Sequence, residues 1–441
     1  MSSLRTYYDA FRRTLPPRDR FLFWAAKSWQ FGGWQVLLQS IQLVTGFLFV
    51  RWLSYETYAQ YGLTQGFQSM LAQLVDLGFS GSIIALVGQR VGDREVVGRY
   101  MKAAWRQRTV MLLLVVPIAA PVFYWLARSH AWPMWSSFLL FLSVTGLLLS
   151  QGWVSVYSPA LMMHQKLSEF YRPQVGLNAA RLLTCSGLHA ISALGAVAIC
   201  WINALVAFGT GVLYRSASRP YAALPPHSDR DAELEMRKYL APLVAGMVFY
   251  AFHGQVQVFL ISIFGTSRSI AEVSALGRVG HLFVFLSSFI TTMLVPFIAR
   301  VPPDRIALRY TQTIGVIVVI AIGMSALAFA YPGVLLVLLG PKYAGLQAEV
   351  ALSVTASALG MVTVALYSFN NARKWVFHMT AVTSIGGLVV IEALMIAMMD
   401  LSSTFNVMRF SVATAVYPIL PFACAAIYGC RRARAAPGVG M

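Results

Sequence analysis

The sequence predicts an all-α, polytopic membrane protein, and three observations support this fold class. Of the 441 residues, 58% are hydrophobic and 11% charged, with a mean hydropathy of +0.66, outside the range of soluble globular domains. Apolar runs of about 20 residues recur along the chain, and a helix of that length crosses the hydrocarbon core. The runs lack the alternation of barrel strands, so helices must satisfy the backbone polar groups in lipid.

Polar breaks between the apolar runs define about twelve predicted spans. An even number places both termini on the same side of the membrane. The predicted spans cover residues 29–50, 58–86, 109–127, 135–162, 173–190, 192–214, 239–264, 270–298, 311–331, 346–370, 375–399 and 404–429.

Lysine and arginine residues decide which side carries the termini. The odd-numbered connections and both tails hold most of them, whereas the opposite side has only Arg51, Arg128, Arg268 and Lys342. By the positive-inside rule, the N and C termini are cytoplasmic. We therefore attribute the net charge of +18 to topology and to attraction for anionic membrane lipid, and not to nucleic-acid binding.

The longest connection divides the predicted spans into two sets of six. The predicted segments are a basic N-terminal segment at 1–28, one lobe at 29–214, a cytoplasmic connection at 215–238, a second lobe at 239–429 and a basic tail at 430–441. The first segment has no apolar core followed by a cleavage site, so we do not expect it to be a cleaved signal.

The two predicted halves resemble each other in the order and spacing of their motifs. "YAQYGLTQGFQSMLAQLVDLGFSGSIIALVGQR" in the first half corresponds to "IAEVSALGRVGHLFVFLSSFITTMLVPFIAR" in the second. Parallel repeats of this kind are related by an axis along the membrane normal and enclose a central cavity in many transporters.

Polar residues of the second predicted span share one face. At 100° per residue, Gln65, Gln73 and Asp76 fall within a sector of about 80°, opposite a leucine-rich face. Four other spans carry similar stripes, which indicates either helices that line a hydrated cavity or hydrogen bonding between helices of the bundle. The other stripe residues that we predict to line a cavity are Gln39, Asn178, His253, Gln257 and His281.

Charged residues within the spans indicate either a site or an ion pair, because each costs at least about 2.5 to 3.5 kcal/mol at the bilayer centre. Asp76 and Arg181 lie at similar depths, so the sequence leaves open whether they pair with each other or take part in transport. Arg278 has only Glu272 as an acidic neighbour at its depth. Since a guanidinium fits phosphate oxygens bidentately, Arg278 and Arg181 are candidate contacts for an anionic ligand.

A second charged pair is predicted in the last two spans. Glu392 and Arg409 lie about equally far from the turn near Leu401, which favours a structural ion pair over a coupling-ion or proton site. His253 and His281 can titrate near neutral pH, so a part in proton coupling is their alternative role. The cysteines lie in or beside spans and indicate neither a disulfide framework nor a metal site.

Several motifs recur in a fixed order along the chain. Tyr58, Tyr61 and Gly62 lead into span two, and "DLGFS" ends that span. "GPKY" lies in the loop before span ten, within "LLGPKYAGLQAEVALSVTASALGMVTVALYSFNNARK". Together these motifs resemble the polysaccharide-exporter branch of the multidrug/oligosaccharidyl-lipid/polysaccharide (MOP) superfamily, which includes the Wzx-type flippases and has a Gly/Tyr pair before span two. The resemblance covers nearly the whole chain.

The resemblance implies a flippase of the bacterial plasma (inner) membrane that works by alternating access. Its substrate would be an undecaprenyl-diphosphate-linked glycan, such as an O-antigen, capsule or exopolysaccharide repeat, and its cavity arginines would engage the diphosphate or acidic sugars. Glycan polymerase and export machinery would be further partners, with no cofactor. Span one lacks an internal arginine, and the spans are fewer than the peptidoglycan-precursor branch has, which disfavours that role.

Two other functions are weighed against a flippase. A cation-coupled multidrug exporter of the same superfamily would prefer acidic cavity residues, whereas this sequence offers Arg181 and Arg278 against Asp76. A membrane-bound glycan polymerase or transferase would need a sizeable outer loop with catalytic groups, and none is predicted. We therefore expect a transporter and not an enzyme.

Overall fold

The computed structural model describes residues 17–302, 305–375 and 378–435, and it is almost entirely helical in these ranges. No strand occurs in them, which confirms the all-α prediction. Residues 1–16 of the predicted N-terminal segment and 436–441 of the predicted tail lie outside the described residues.

Each predicted span of the first half coincides with one helix or with two consecutive helices. The helices of this half are α1 (Pro17–Trp52), α2 (Tyr55–Asp76), α3 (Phe79–Val87), α4 (Arg94–Ser129), α5 (Met134–Met163), α6 (Leu167–Ala190) and α7 (Ala196–Ser218).

The second half adds helices in the same manner, preceded by a helix in the predicted connection. They are α8 (Arg230–Leu240), α9 (Val244–His253), α10 (Val256–Phe264), α11 (Ser267–Phe289), α12 (Val295–Arg300), α13 (Ile306–Ala330), α14 (Pro332–Leu339), α15 (Gln347–Ala372), α16 (His378–Met398), α17 (Thr404–Val416) and α18 (Ile419–Ala435).

Nine helical stretches within the described ranges are long and apolar enough to cross a membrane, and there are ten if α8, α9 and α10 are taken together as one broken span. Two predicted spans fall short of that test. Polar and charged side chains lower the hydropathy of α6, and the apolar part of α16 is the shorter stretch Val382–Met398. The chain is a multi-pass membrane protein.

The second predicted span is broken where the sequence reads "DLG". Leu77 and Gly78 adopt positive φ values of 37° and 76° between α2 and α3. A Cβ at Gly78 would lie 2.7 Å from Met247 Cε, so both the left-handed backbone and the close packing require glycine there.

The contacts divide the chain into two compact units. Unit 1 comprises the described residues up to Thr45 together with Phe67–His253, and unit 2 comprises Gly46–Gly66 together with the described residues from Gly254 onward. Residues 46–66, predicted to belong to the first lobe, lie in unit 2. Residues 239–253, predicted to belong to the second lobe, lie in unit 1. The predicted six-plus-six division stays a prediction.

In unit 1, the predicted connection at 215–238 contains a helix that packs on α4. Met236 and Leu240 of α8 are buried in an apolar cluster with residues of α3 and α4. Glu233 accepts hydrogen bonds from Arg106 Nη1 at 2.7 Å and from Gln107 Nε2 at 2.9 Å. The connection is therefore a folded part of this unit.

The start of α8 is fixed by a capping carboxylate. Asp229 accepts a hydrogen bond from the backbone N–H of Asp231 at 3.0 Å and pairs with Arg99. The hydrogen bond from Asp231, with the charge of Arg99 acting in the same direction, lowers the pKa of the Asp229 carboxyl. The carboxylate thus stays ionised well below neutral pH.

In unit 2, α15 is the central helix and packs against α11, α13, α17 and α18. Its buried Asn370 accepts a hydrogen bond from Tyr310 Oη at 2.8 Å and donates to the carbonyl of Phe422 at 2.9 Å. One buried amide therefore connects three helices.

The C-terminal ends of α1 and α14 cap each other through two cations. Arg51 donates to the carbonyls of Val337 and Leu338, the latter at 3.2 Å, and Lys342 Nζ donates to the carbonyl of Leu53. The last carbonyls of a helix have no intrahelical partners, and cations there also interact favourably with the helix dipole. We call this arrangement the Arg51–Lys342 clasp.

Gly340 shapes the turn that carries Lys342 into the clasp. Its φ is 98°, and a Cβ on it would lie 3.3 Å from Arg51 Cγ. The sequence "GPKY" thus has a structural role in unit 2: its glycine allows the turn and its lysine caps the end of α1.

We expect Lys342→Met to destabilise the protein by about 1 kcal/mol, because carbonyls at the end of α1 lose both their donor and a favourable charge. The measurement is the midpoint of thermal unfolding in detergent. Lys342→Arg should retain most of the wild-type midpoint. Arg128→Met removes an exposed cation from the last turn of α4 and is the matched control; an equal loss in both Met variants would contradict the clasp.

Candidate functional site

The residues that the sequence singles out divide between the two units. Gln39, Gln73, Asp76, Asn178, Arg181 and His253 lie in unit 1, whereas Gln65, Gln257, Arg278, His281, Glu392 and Arg409 lie in unit 2.

Arg278 of α11 is held by two tyrosines of α2. Its Nε donates to Tyr58 Oη at 3.4 Å and its Nη2 to Tyr61 Oη at 3.2 Å. The guanidinium carbon also lies 5.5 Å from the centre of the Tyr61 ring, within cation–π range. The spacing of three residues places both phenols on one face of α2.

Two glycines make room for this arrangement. A Cβ at Gly46 of α1 would lie 3.4 Å from Arg278 Cδ, and one at Gly62 of α2 would lie 2.2 Å from Ser274 Oγ. The second distance is far below van der Waals contact, so α2 and α11 can approach this closely only because residue 62 has no side chain.

No carboxylate neutralises Arg278 among the residues that the structure describes. The acidic neighbour expected from the sequence, Glu272, accepts instead from Arg268 Nε at 2.9 Å and from Thr404 Oγ1 at 2.7 Å. The phenols of Tyr58 and Tyr61 orient the guanidinium but, as neutral groups, leave its full positive charge available to an anion.

The two faces of α2 differ in exposure. Leu63 and Phe67 on the leucine-rich face are buried, with 0% and 1% exposed. On the polar face, Gln65 and Asp76 are half-buried and Gln73 is exposed. The polar face is therefore the less covered one, the reverse of what a helix with an apolar face toward lipid requires.

In unit 1, Asp76 pairs with a residue that the sequence did not single out. Its Oδ1 accepts from Arg108 Nη1 at 2.7 Å, and the side chain of Arg108 is 4% exposed. Ser80, one turn later, also donates to Asp76. Asp76 is therefore paired with Arg108 of α4 and not with Arg181, whose pairing with Asp76 is one of the alternatives that the sequence leaves open.

Arg181 lies instead in a hydrogen-bonding group between α6 and α7. Its Nη1 donates to Asn203 Oδ1 at 3.2 Å. Asn178 is buried and donates to the carbonyl of Gln174 at 2.8 Å, and Gln174 donates to Tyr214 Oη at 2.6 Å. Part of the predicted α6 stripe thus serves helix packing, as the alternative interpretation proposes.

The remaining predicted residues stay predictions. His253 stacks on Phe249 with ring centres 5.6 Å apart, and His281 is exposed one turn after Arg278. Gln39 and Gln257 are half-buried.

The predicted ion pair between Glu392 and Arg409 also stays a prediction. Arg409 is exposed, with its guanidinium 5.9 Å from the Phe405 ring, and Glu392 is half-buried.

Within the described ranges, no group of three or more His, Cys, Asp or Glu side chains is placed to hold a metal ion.

Sequence reasoning missed Arg108 and Asn203 and gave Tyr58 and Tyr61 no chemical role. Arg108 precedes the apolar run of α4 and counts as a loop cation by position alone. The tyrosine pair offered a usable signal, since two phenols at helical spacing can orient one cation.

We expect Gly62→Ala to destabilise the protein by about 1 to 3 kcal/mol, because the added methyl group overlaps Ser274. The measurement is the midpoint of thermal unfolding together with the monodisperse fraction in detergent. Gly277→Ala, on α11 where a Cβ meets open space, is the control. Combining Gly62→Ala with Ser274→Gly should restore the midpoint, and a failure of this rescue would contradict the close approach.

We also expect a double-mutant cycle of Asp76→Asn and Arg108→Gln to give a coupling of at least about 1 kcal/mol, since either single change leaves a partly buried group without its partner. Unfolding midpoints in detergent provide the measurement. The same cycle with Arg181→Gln in place of Arg108→Gln should give no coupling beyond error. The reverse ranking would restore the pairing that the sequence suggested.

No protein-family model matches the sequence, and neither does any curated protein. Several solved structures of transporters are similar in fold. An inward-facing MATE-family multidrug resistance transporter of the MOP superfamily aligns over 90% of this chain and 95% of its own, with a TM-score of 0.66 and 14% identity.

Two further structures extend this likeness. The lipid II flippase MurJ, in an inward closed conformation, aligns over 92% of this chain and 89% of its own, with a TM-score of 0.68 and 11% identity. A MOP superfamily transporter from Pyrococcus furiosus, described by the reverse polarity of its binding pocket, aligns over 93% of this chain and 95% of its own. Its TM-score is 0.61 and its identity 13%. The chain therefore has the fold of the MOP superfamily transporters.

Proposed function

We propose that this protein is a flippase that moves an undecaprenyl-diphosphate-linked oligosaccharide from the cytoplasmic to the outer leaflet of the bacterial plasma membrane. The observation that carries the proposal is Arg278, whose only described hydrogen-bond partners are the two phenols of Tyr58 and Tyr61. Among the similar structures, the lipid II flippase also acts on a lipid-linked substrate.

The electrostatics of Arg278 favour a diphosphate as ligand. A guanidinium without a neighbouring carboxylate carries a full charge, and an anion that binds it compensates the cost of keeping that charge within a membrane protein. The fork of N–H donors fits two phosphate oxygens, so a ligand that replaces one phenol gains a charge-assisted hydrogen bond.

The polar face of α2 suits the glycan part of this substrate. Gln65, which like Arg278 lies in unit 2, offers amide donors and an acceptor on a side chain that is only half-buried. We assign the sugar hydroxyls to such groups and the diphosphate to Arg278, while the polyprenyl chain stays in lipid. Transport then proceeds by alternating access, as in other transporters with repeated halves.

The test measures translocation of a fluorescent undecaprenyl-diphosphate oligosaccharide in proteoliposomes. Arg278→Ala should lower the initial rate at least about tenfold, because charge and fork are both lost. Arg278→Lys should retain part of the rate, since it keeps the charge but loses the bidentate geometry. Tyr61→Phe removes one orienting hydroxyl and should have a smaller effect.

The matched control is Arg268→Ala, which removes a cation of α11 that is bound to Glu272. It should leave the rate within about twofold, because Glu272 keeps its bond to Thr404. Normal translocation by both Arg278 variants would overturn the proposal. The proposal would also be overturned if the Arg278→Ala rate fell only in proportion to a smaller amount of inserted, folded protein.

A cation-coupled multidrug exporter is the alternative with the same fold. It would need an acidic site for the coupling ion. Asp76 already accepts a charge-assisted bond from Arg108, which leaves its carboxylate neutralised in unit 1. Transport of organic cations by the same proteoliposomes, with no transport of the lipid-linked glycan, would favour this alternative.

A further inference from the structure

A patch of cations and aromatic rings lies at the predicted cytoplasmic ends of α5 and α7 in unit 1. We call it the basic–aromatic patch and define it by Trp153, Lys166, Arg215, Arg219 and Tyr221. All three cations are exposed, and both rings are half-buried. The patch has no part in the site around Arg278.

Two cations of the patch lie against its two rings. The guanidinium of Arg215 lies 5.1 Å from the Trp153 ring centre, and Lys166 Nζ lies 5.7 Å from that of Tyr221. The backbone carbonyl of Arg219 accepts a hydrogen bond from Arg94 Nη2 at 2.9 Å. A fourth cation therefore borders the patch.

The patch keeps a net positive charge. Other basic residues of this unit are neutralised by Asp229, Glu233 and Asp76. In contrast, no carboxylate among the residues described here pairs with Arg215 or Arg219. Lys166 Nζ lies 4.0 Å from Glu169 Oε1, and both of these side chains are solvent-accessible.

An exposed apolar stripe leads along α7 to the patch. Leu205, Phe208 and Val212 are 63%, 49% and 40% exposed, and they are followed at the same helical spacing by Arg215 and Arg219. The Phe208 ring lies 5.9 Å from that of Trp153, so the apolar and cationic parts are continuous.

We propose that the basic–aromatic patch binds the headgroup of an anionic phospholipid of the inner leaflet, with an acyl chain along the apolar stripe of α7. Amphipathic aromatic rings are typical of the level of lipid headgroups, and cations just beyond them meet lipid phosphates. The order along one face, apolar then aromatic then cationic, matches a phospholipid from its chain to its phosphate.

The test is native mass spectrometry of the full-length protein titrated with phosphatidylglycerol and, in parallel, with phosphatidylcholine. Arg215→Gln combined with Arg219→Gln should weaken phosphatidylglycerol binding at least about tenfold, since each cation near the surface contributes about fivefold. Phosphatidylcholine binding should change less than about twofold.

The matched control is Arg230→Gln combined with Lys238→Gln, which removes two exposed cations from α8 on the same predicted side. It should leave phosphatidylglycerol binding within about twofold of the wild type. Arg215→Lys combined with Arg219→Lys should restore most of the binding. If the double Gln variant does not fold, Arg219→Gln alone, at an exposed helix end, should still weaken binding about fivefold.

Three results would overturn the proposal. One is equal loss of phosphatidylglycerol binding in the patch variant and in the α8 control, which would indicate nonspecific attraction by charge. Another is unchanged binding in a folded patch variant. The third is competition by free glycerol 3-phosphate at the same concentrations as the lipid, which would indicate a site for soluble phosphates.

Discussion

The structure depends on one constraint: backbone polar groups have no water to bond in the hydrocarbon core, so they must find partners within the protein. Helices satisfy this along their length, and their ends need other solutions. In unit 2, the Arg51–Lys342 clasp supplies donors for the carbonyls that end α1 and α14. The clasp thus fixes where α1 and α14 end.

The same scarcity of water governs the charged side chains, and the two units treat them differently. Asp76 and Arg108 form a pair, which lowers the cost of both charges and ties α4 to the end of α2. Among the described residues, Arg278 donates to two neutral phenols and lies against an aromatic ring, with no carboxylate paired to it. A charge that is oriented but not neutralised raises the free energy of a membrane protein. This cost is the physical reason to assign the charge to an anionic ligand.

Periodic signals are the ones that a sequence carries most directly, because they depend only on the spacing of residues along one helix. The stripe on α2 was predicted from the spacing of Gln65, Gln73 and Asp76, and its greater exposure agrees with that pattern. The partner of Asp76 could not be predicted, because it depends on the turn at Gly78 and on the length of α4 before its apolar run. Equal depth in two spans was a poor guide to contact, since depth says nothing about which helices are neighbours.

The sequence alone determined the all-α membrane class and the polar faces, because hydrophobicity and helical periodicity are properties of consecutive residues. It also identified Arg278 as a charge that needs explaining. Only the tertiary structure decided what surrounds that charge: the absence of a side chain at Gly62 lets α2 and α11 approach, and this approach brings Tyr58 and Tyr61 to the guanidinium. Such contacts join residues more than 200 positions apart, and packing alone sets their distances.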